Sequence, residues 1–243
     1  MINCLQTTPI PPPPSVSVPV YSLATAACNT ATDTDTATGS TSSTSTSTSM
    51  NIVTFATPVS IQPKLYMISL YRNTRTKDTF FESKYGILQL LDRGQKDLVP
   101  LLGKRSGYED GYDKGKACRG VGFPWGVVQS SNLFAKIEGI SEGDNVEDED
   151  EDGVEVEDGN DNLKDIHKSF DGMSVLPRCQ SYIAVKMMNT MEGGDHELAL
   201  CEVLGVGEWD EQQQCVVCAN GVTEPKNEES VLYTGYLRSE GII

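Results

Sequence analysis

The sequence is short of positive charge. Its 243 residues include 19 Lys and Arg against 35 Asp and Glu, and the first basic residue is Lys64. No segment supplies the basic stripe that phosphate contacts require, so nucleic acid is excluded as a partner. A basic transit leader and the charged-then-apolar pattern of a secretory signal are both missing. No apolar run approaches the length of a membrane span. The expected compartment is the cytoplasm, with the plastid as the alternative. Only 2 histidines occur, too few for a His-rich metal site. The 7 cysteines are odd in number and lack small-domain spacing, which suits a reducing compartment better than a disulfide framework.

Two stretches of low complexity account for much of the odd composition. From Glu142 to Asp161 the chain carries 12 acidic residues and no basic one, so most of the net charge of −16 lies in this run. A second stretch, Thr30 to Ser49, is almost wholly Thr, Ser, Ala and Asp. Neither has the apolar surface to offset the entropy of ordering, and both read as disordered insertions, over 30–49 and 141–165. Met1 to Ser15 holds Pro9 and the run Pro11 to Pro14 and reads as an extended arm. The remainder, 16–240, is expected to form one domain.

Strand patterns dominate that domain. Pro19 to Leu23 reads as an edge strand, where proline is tolerated. Asn51 to Ile61 alternates and reads as a strand broken by Gln62-Pro63. Lys64 to Tyr71 and Tyr85 to Leu91 follow as strands, separated by a short helix over Lys77 to Glu82 with Thr76 as candidate N-cap. Lys96 to Leu102 reads as one or two helical turns, and Lys104 to Cys118 as a polar loop. Leu133 to Ile140, Ser181 to Asn189, Asp195 to Trp209, Cys215 to Ala219 and Val231 to Leu237 read as further strands. Many strands and few helices predict a barrel or a sandwich.

Some motifs carry no chemistry. Cys215-Val-Val-Cys218 has redox spacing but strand-like flanks, which point the two thiols to opposite faces. Asp148 to Gly153 imitates the start of a calcium loop, yet Gly159 stands where a bidentate Glu is required. His167 is expected to be exposed and idle. A strand that empties through Arg72, Asn73 and Arg75 into a helix start, by contrast, makes an anion site of free N–H groups, hydroxyls and guanidiniums.

Four motifs in order carry a family resemblance: Asn51-Ile-Val-Thr54; the strand exit from Tyr71 to Thr76; Ser106-Gly107 with Asp113-Lys114; and Gly194-Asp195-His196 before Leu198, Leu200 and Glu202-Val203. The set resembles the flavin reductase-like family, whose members are mainly-β, FMN-binding split barrels with a few short helices. Here the barrel would carry the two low-complexity insertions. The resemblance implies that Asn51, Ile52, Val53 and Thr54 line the isoalloxazine. It places Arg72, Asn73 and Thr76 around the ribityl phosphate, with Tyr71, Ser106 and Lys114 completing the cofactor site and His196 on the nicotinamide side. It further implies FMN as cofactor, NADH or NADPH as reductant, a homodimer, and a monooxygenase or other acceptor as electron partner. The alternatives are a non-catalytic cofactor binder and an oxidase on the related pyridoxamine-phosphate barrel.

Overall fold

The computed structural model describes residues 16–26, 47–138, 159–219 and 228–243. The Pro-rich arm, most of the Thr/Ser stretch and most of the acidic run lie outside them.

Among the described residues ten strands occur: β1 (Tyr21–Ala26), β2 (Thr48–Val53), β3 (Ala56–Ser60), β4 (Leu65–Tyr71), β5 (Tyr85–Leu90), β6 (Gly126–Val127), β7 (Ser174–Val175), β8 (Ser181–Gly193), β9 (His196–Asp210) and β10 (Cys215–Cys218). The described residues also form six α-helices: α1 (Arg75–Ser83), α2 (Leu98–Gly103), α3 (Lys114–Gly120), α4 (Ser130–Glu138), α5 (Gly159–Phe170) and α6 (Thr234–Ser239). The main sheet is antiparallel in the order β2-β1-β5-β8-β9-β4-β3, with β10 also paired to β9. β6 and β7 form a separate small ladder. Against one flank of β9, β4 occupies residues 196–202 and β10 residues 207–210. One long strand thus hands its edge from one partner to another, and the sheet splits there. The architecture is the expected mainly-β barrel with few, short helices.

Both faces of the central strands are buried, which explains their continuous apolar character. Leu23, Leu88, Ile183 and Val185 point into a core inside the sheet with Ile68, Phe80 and Cys201. Their chain neighbours Ala24, Ile87, Tyr182 and Ala184 point into a second core, closed by Leu98, Phe134, Phe170 and Leu237 from the helical side. β1 is therefore no edge strand: it pairs with β2 and β5, and all six of its residues are buried.

Other expectations are also corrected. Asn51 to Ile61 is two strands, because the chain turns at Thr54-Phe55 to leave β1 for β4. Thr48 and Ser49, expected in a disordered loop, belong to β2, and the residues from Gly159 onward form α5. Leu133 to Ile140 is mostly helix. Leu133 and Phe134 are both fully buried, as successive residues of a half-buried strand cannot be, and the Asp171 carboxylate accepts from the Ser130 N–H at the helix start (2.7 Å). α4 seats on glycine: a Cβ at Gly207 would stand 2.9 Å from Leu133 Cδ1 and 2.6 Å from Val216 Cγ1. Lys104 to Cys118 hides the start of α3, capped by Asp113, and Val231 to Leu237 is two isolated bridges, at Val231 and Tyr233, followed by α6. His167 is half-buried with its ring 5.2 Å from that of Phe134. Cys215 and Cys218 lie on β10, and the described residues contain no cluster of three or more potential metal ligands. No described helix is long and apolar enough to cross a membrane.

Candidate functional site

The site is organised by the start of α1. Its N-cap is Thr74, not Thr76: the Thr74 Oγ1 accepts from the Lys77 N–H (3.3 Å) and donates to the Tyr71 carbonyl (3.0 Å). Thr74 has the extended backbone a cap needs, whereas Thr76 already lies within the helix. The N–H groups of Arg75 and Thr76 have no partner within the helix, as at any helix start. A cleft opens on each side of this terminus.

The smaller cleft, about 320 Å³, lies between α1, β2 and α3. Ser47, Thr48 and Ser49 give it hydroxyls, Arg75 and Lys114 give it cations, and Trp125 gives it an aromatic wall. Arg75 Nη2 donates to Ser47 Oγ (3.5 Å), and the buried Thr76 and Ser49 hydroxyls share a hydrogen bond of 2.9 Å. The Lys114 ammonium donates to the Met50 and Leu102 carbonyls (2.9 and 2.7 Å), and burial pushes its pKa down to about 8. The cleft's one carboxylate, Asp113, accepts from the Lys116 N–H at the start of α3.

The larger cleft, about 520 Å³, is lined by Arg72, Asn73, Lys77, Asp78, Tyr108, Glu192 and Glu197. Both of its cations are paired. Lys77 Nζ lies 2.7 Å from Glu197 and 3.0 Å from Asp78, and Arg72 Nη2 lies 3.5 Å from Glu192. The Glu197 carboxylate raises the Lys77 pKa. Partial burial works to raise the Asp78 carboxyl, but hydrogen bonds from Tyr108 (2.6 Å) and Lys77 outweigh it and hold the pKa low. The Arg72 Nε–H is buried without an acceptor.

Three aromatic rings gather where β4 meets β9, on the other face of the sheet from the glutamates of this cleft. His196 meets Tyr71 and Phe55 edge-on, at 5.5 and 6.0 Å between centroids, and both partners are at least half exposed. The β8–β9 hairpin sets the histidine: Gly194 takes a positive φ of 72°, and the Asp195 carbonyl accepts from the Arg72 N–H. The Asp195 carboxylate accepts from His196 Nδ1 (2.7 Å), which leaves Nε2 to face outward chemistry.

Most of the residues expected at a site gather here, in three groups. Arg72 and Asn73 line the larger cleft, Tyr71 and His196 belong to the aromatic cluster, Lys114 lines the smaller cleft, and Thr76 is buried behind it through its bond to Ser49. Asn51, Ile52 and Thr54 are half-buried along the strand between them, with the Asn51 amide oxygen accepting from the Ile52 N–H. The Val53 side chain turns into the core, so only its backbone is available. Ser106 Oγ accepts from the Tyr108 N–H within its own loop. Ser49, Lys77, Glu192 and Glu197 escaped the sequence reading, whereas Arg75 was read as part of the anion site.

The family model of the flavin reductase like domain matches residues 25–224. The chain belongs to this family. An FMN-binding protein from Thermus thermophilus has the same fold. Its structure with bound 1-cyclohex-2-enone aligns at a TM-score of 0.55 and 16% identity, over 96% of this chain and 90% of that one. Its structure with p-hydroxybenzaldehyde aligns at 0.51 and 16%, over 88% and 83%. A Streptomyces globisporus NADH:FAD oxidoreductase aligns at 0.47 and 13%, over 80% and 77%. No curated protein matches.

Proposed function

We propose that this protein binds FMN and works as a nicotinamide-dependent flavin reductase. The observation that carries the reading is the smaller cleft, where a helix start, three consecutive hydroxyl residues and two cations converge with one carboxylate that is already engaged in capping. These groups fit a phosphate dianion. The larger cleft fits it less well, because three carboxylates there face two cations. The FMN phosphate is therefore assigned to Arg75, Lys114, Ser49 and the N–H groups at the α1 start, instead of Arg72 and Asn73. The isoalloxazine would then run along Asn51 to Thr54, towards Phe55.

When bound, the flavin supplies the redox chemistry, accepting a hydride from the nicotinamide. The chain's own task is to hold the two rings in register and keep water out. Tyr71, Phe55 and His196 would form the wall against which the nicotinamide lies, with Asp195 fixing the imidazole. No general acid is needed for that step, in keeping with a site whose only histidine is held by hydrogen bonding at its edge.

The reading extends to a homodimer. Leu65, Met67, Leu198, Leu200 and Met191 lie in register on the outer face of β4, β9 and β8, the face that also bears Tyr71 and His196. These residues are only half-buried or exposed, and the sheet's other face holds the core. A second copy is the proposed cover.

Titration of FMN and riboflavin tests the phosphate assignment. A charge-assisted hydrogen bond contributes roughly 1.5–3 kcal/mol, so Arg75→Ala should weaken FMN by about ten- to a hundredfold and barely affect riboflavin. Equal losses for the two flavins would refute the assignment. A selective FMN loss on Arg72→Ala alone would move the phosphate to the larger cleft.

A further inference from the structure

We propose that the strap Ser106-Gly107-Tyr108 aims Arg75 at the FMN phosphate, which makes Gly107 and Tyr108 positioning residues for cofactor recognition. The inference rests on the assignment of that phosphate to Arg75 and the smaller cleft. Gly107 lines the smaller cleft and Tyr108 the larger, so the strap crosses the start of α1 between the two. At Gly107 it lies against the stem of Arg75: a Cβ there would stand 3.1 Å from Arg75 Cβ and 3.4 Å from its Cδ. One residue on, the Tyr108 hydroxyl donates to Asp78 Oδ2 (2.6 Å) in the first turn of the same helix. The Ser106 hydroxyl and carbonyl accept from the Tyr108 and Glu109 N–H groups (both 3.2 Å), which closes the strap into one turn. Its far end is fixed by Tyr112, whose hydroxyl donates to the Leu101 carbonyl (2.9 Å).

Arg75 needs such a guide. The neighbouring cations are held by carboxylates, Lys77 by Glu197 and Asp78 and Arg72 by Glu192. Arg75 has no carboxylate partner among the described residues, and its guanidinium makes one long bond to Ser47 Oγ (3.5 Å). An arginine free to turn loses rotamer entropy when it engages a phosphate, and fixing its stem beforehand removes part of that cost. Glycine lets the strap approach closely enough to do so. The Gly107 backbone lies outside the left-handed region, so what the position requires is the absence of a side chain. Tyr108 is 58% exposed, so losing its hydroxyl would loosen the strap without opening the core.

Titrations of FMN and riboflavin on the full chain test this. Tyr108→Phe should weaken FMN about two- to tenfold, the range one hydrogen bond allows. Gly107→Val, which sets its methyls against the arginine stem, should approach the loss seen in Arg75→Ala, with Gly107→Ala between it and the wild type. Riboflavin affinity should hold in every variant, which also shows that the site is folded. A double-mutant cycle is the sharpest arm: in the Arg75→Ala background, Tyr108→Phe and Gly107→Val should cost FMN nothing further. Equal losses for the two flavins, or losses that add to that of Arg75→Ala, would show a packing role alone and overturn the inference. A selective FMN loss in Arg75→Ala with none in Tyr108→Phe or Gly107→Val would overturn the inference and leave the phosphate assignment standing. If Arg75→Ala spares FMN, both fall.

Discussion

Lys114 shows how one side chain joins stability, charge and ligand. Its ammonium ties α3 to β2 and α2 through two carbonyls, and burial depresses its pKa to about 8. A phosphate dianion favours the protonated amine. FMN affinity should therefore fall as pH rises through and above about 8, with a slope set by the protons taken up on binding. Riboflavin should show no such slope and controls for ionisation of the flavin itself. Lys114→Met should remove the dependence on FMN; a slope that persists in this variant would assign it to another group. At the same scale, the places of His196 after a hairpin and of Arg72 at a strand exit were legible because Gly194 and the end of the apolar run mark them. The capping role of Thr74 was not, since Thr74 and Thr76 are both suitable residues and only the backbone decides between them. Ser49 was invisible for a different reason: its neighbours repeat Ser and Thr for many residues, and nothing local marks where the strand begins.

Among the elements, β4, β5, β8, β9 and β10 could be read directly, because apolar runs and Gly/Pro punctuation bound them. The helices α4 and α6 could not. α4 depends on a carboxylate from Asp171 far along the chain, and α6 is capped not by its own N-cap residue Tyr233 but by the distant Ser17, whose hydroxyl accepts from the Gly235 N–H (3.1 Å). β1 was misplaced at the edge because Pro19 precedes it, although the proline lies outside the strand and forms only a bridge to Tyr233. The outer face of β4, β9 and β8 makes a prediction at this scale. Leu200→Glu would set a charge amid Met67, Leu198 and Met191 without touching the inner core, so it should convert a dimer into a folded monomer. Sedimentation of both proteins at micromolar concentration checks this. A wild type that is monomeric with flavin bound, or a variant that stays dimeric, would count against the proposed interface.

For the molecule as a whole, the mainly-β architecture followed from the number and spacing of its strands, and membership in the flavin reductase-like family from four short motifs in the right order. The split of the site into two clefts could not follow from sequence, because it depends on which way Arg72 and Arg75 leave the same helix start. Net charge was a poor guide: the acidic run sets the total of −16, while the two clefts differ through a handful of side chains. The central claim is that this arrangement delivers reducing equivalents from a nicotinamide nucleotide to a bound flavin. Anaerobic mixing of the flavin-loaded protein with NADH, followed by the flavin's visible absorbance in a stopped-flow instrument, tests it most directly. Rapid bleaching is expected, slowed in His196→Ala while FMN affinity is spared. A flavin that stays bound and yellow in excess NADH and NADPH would contradict the account.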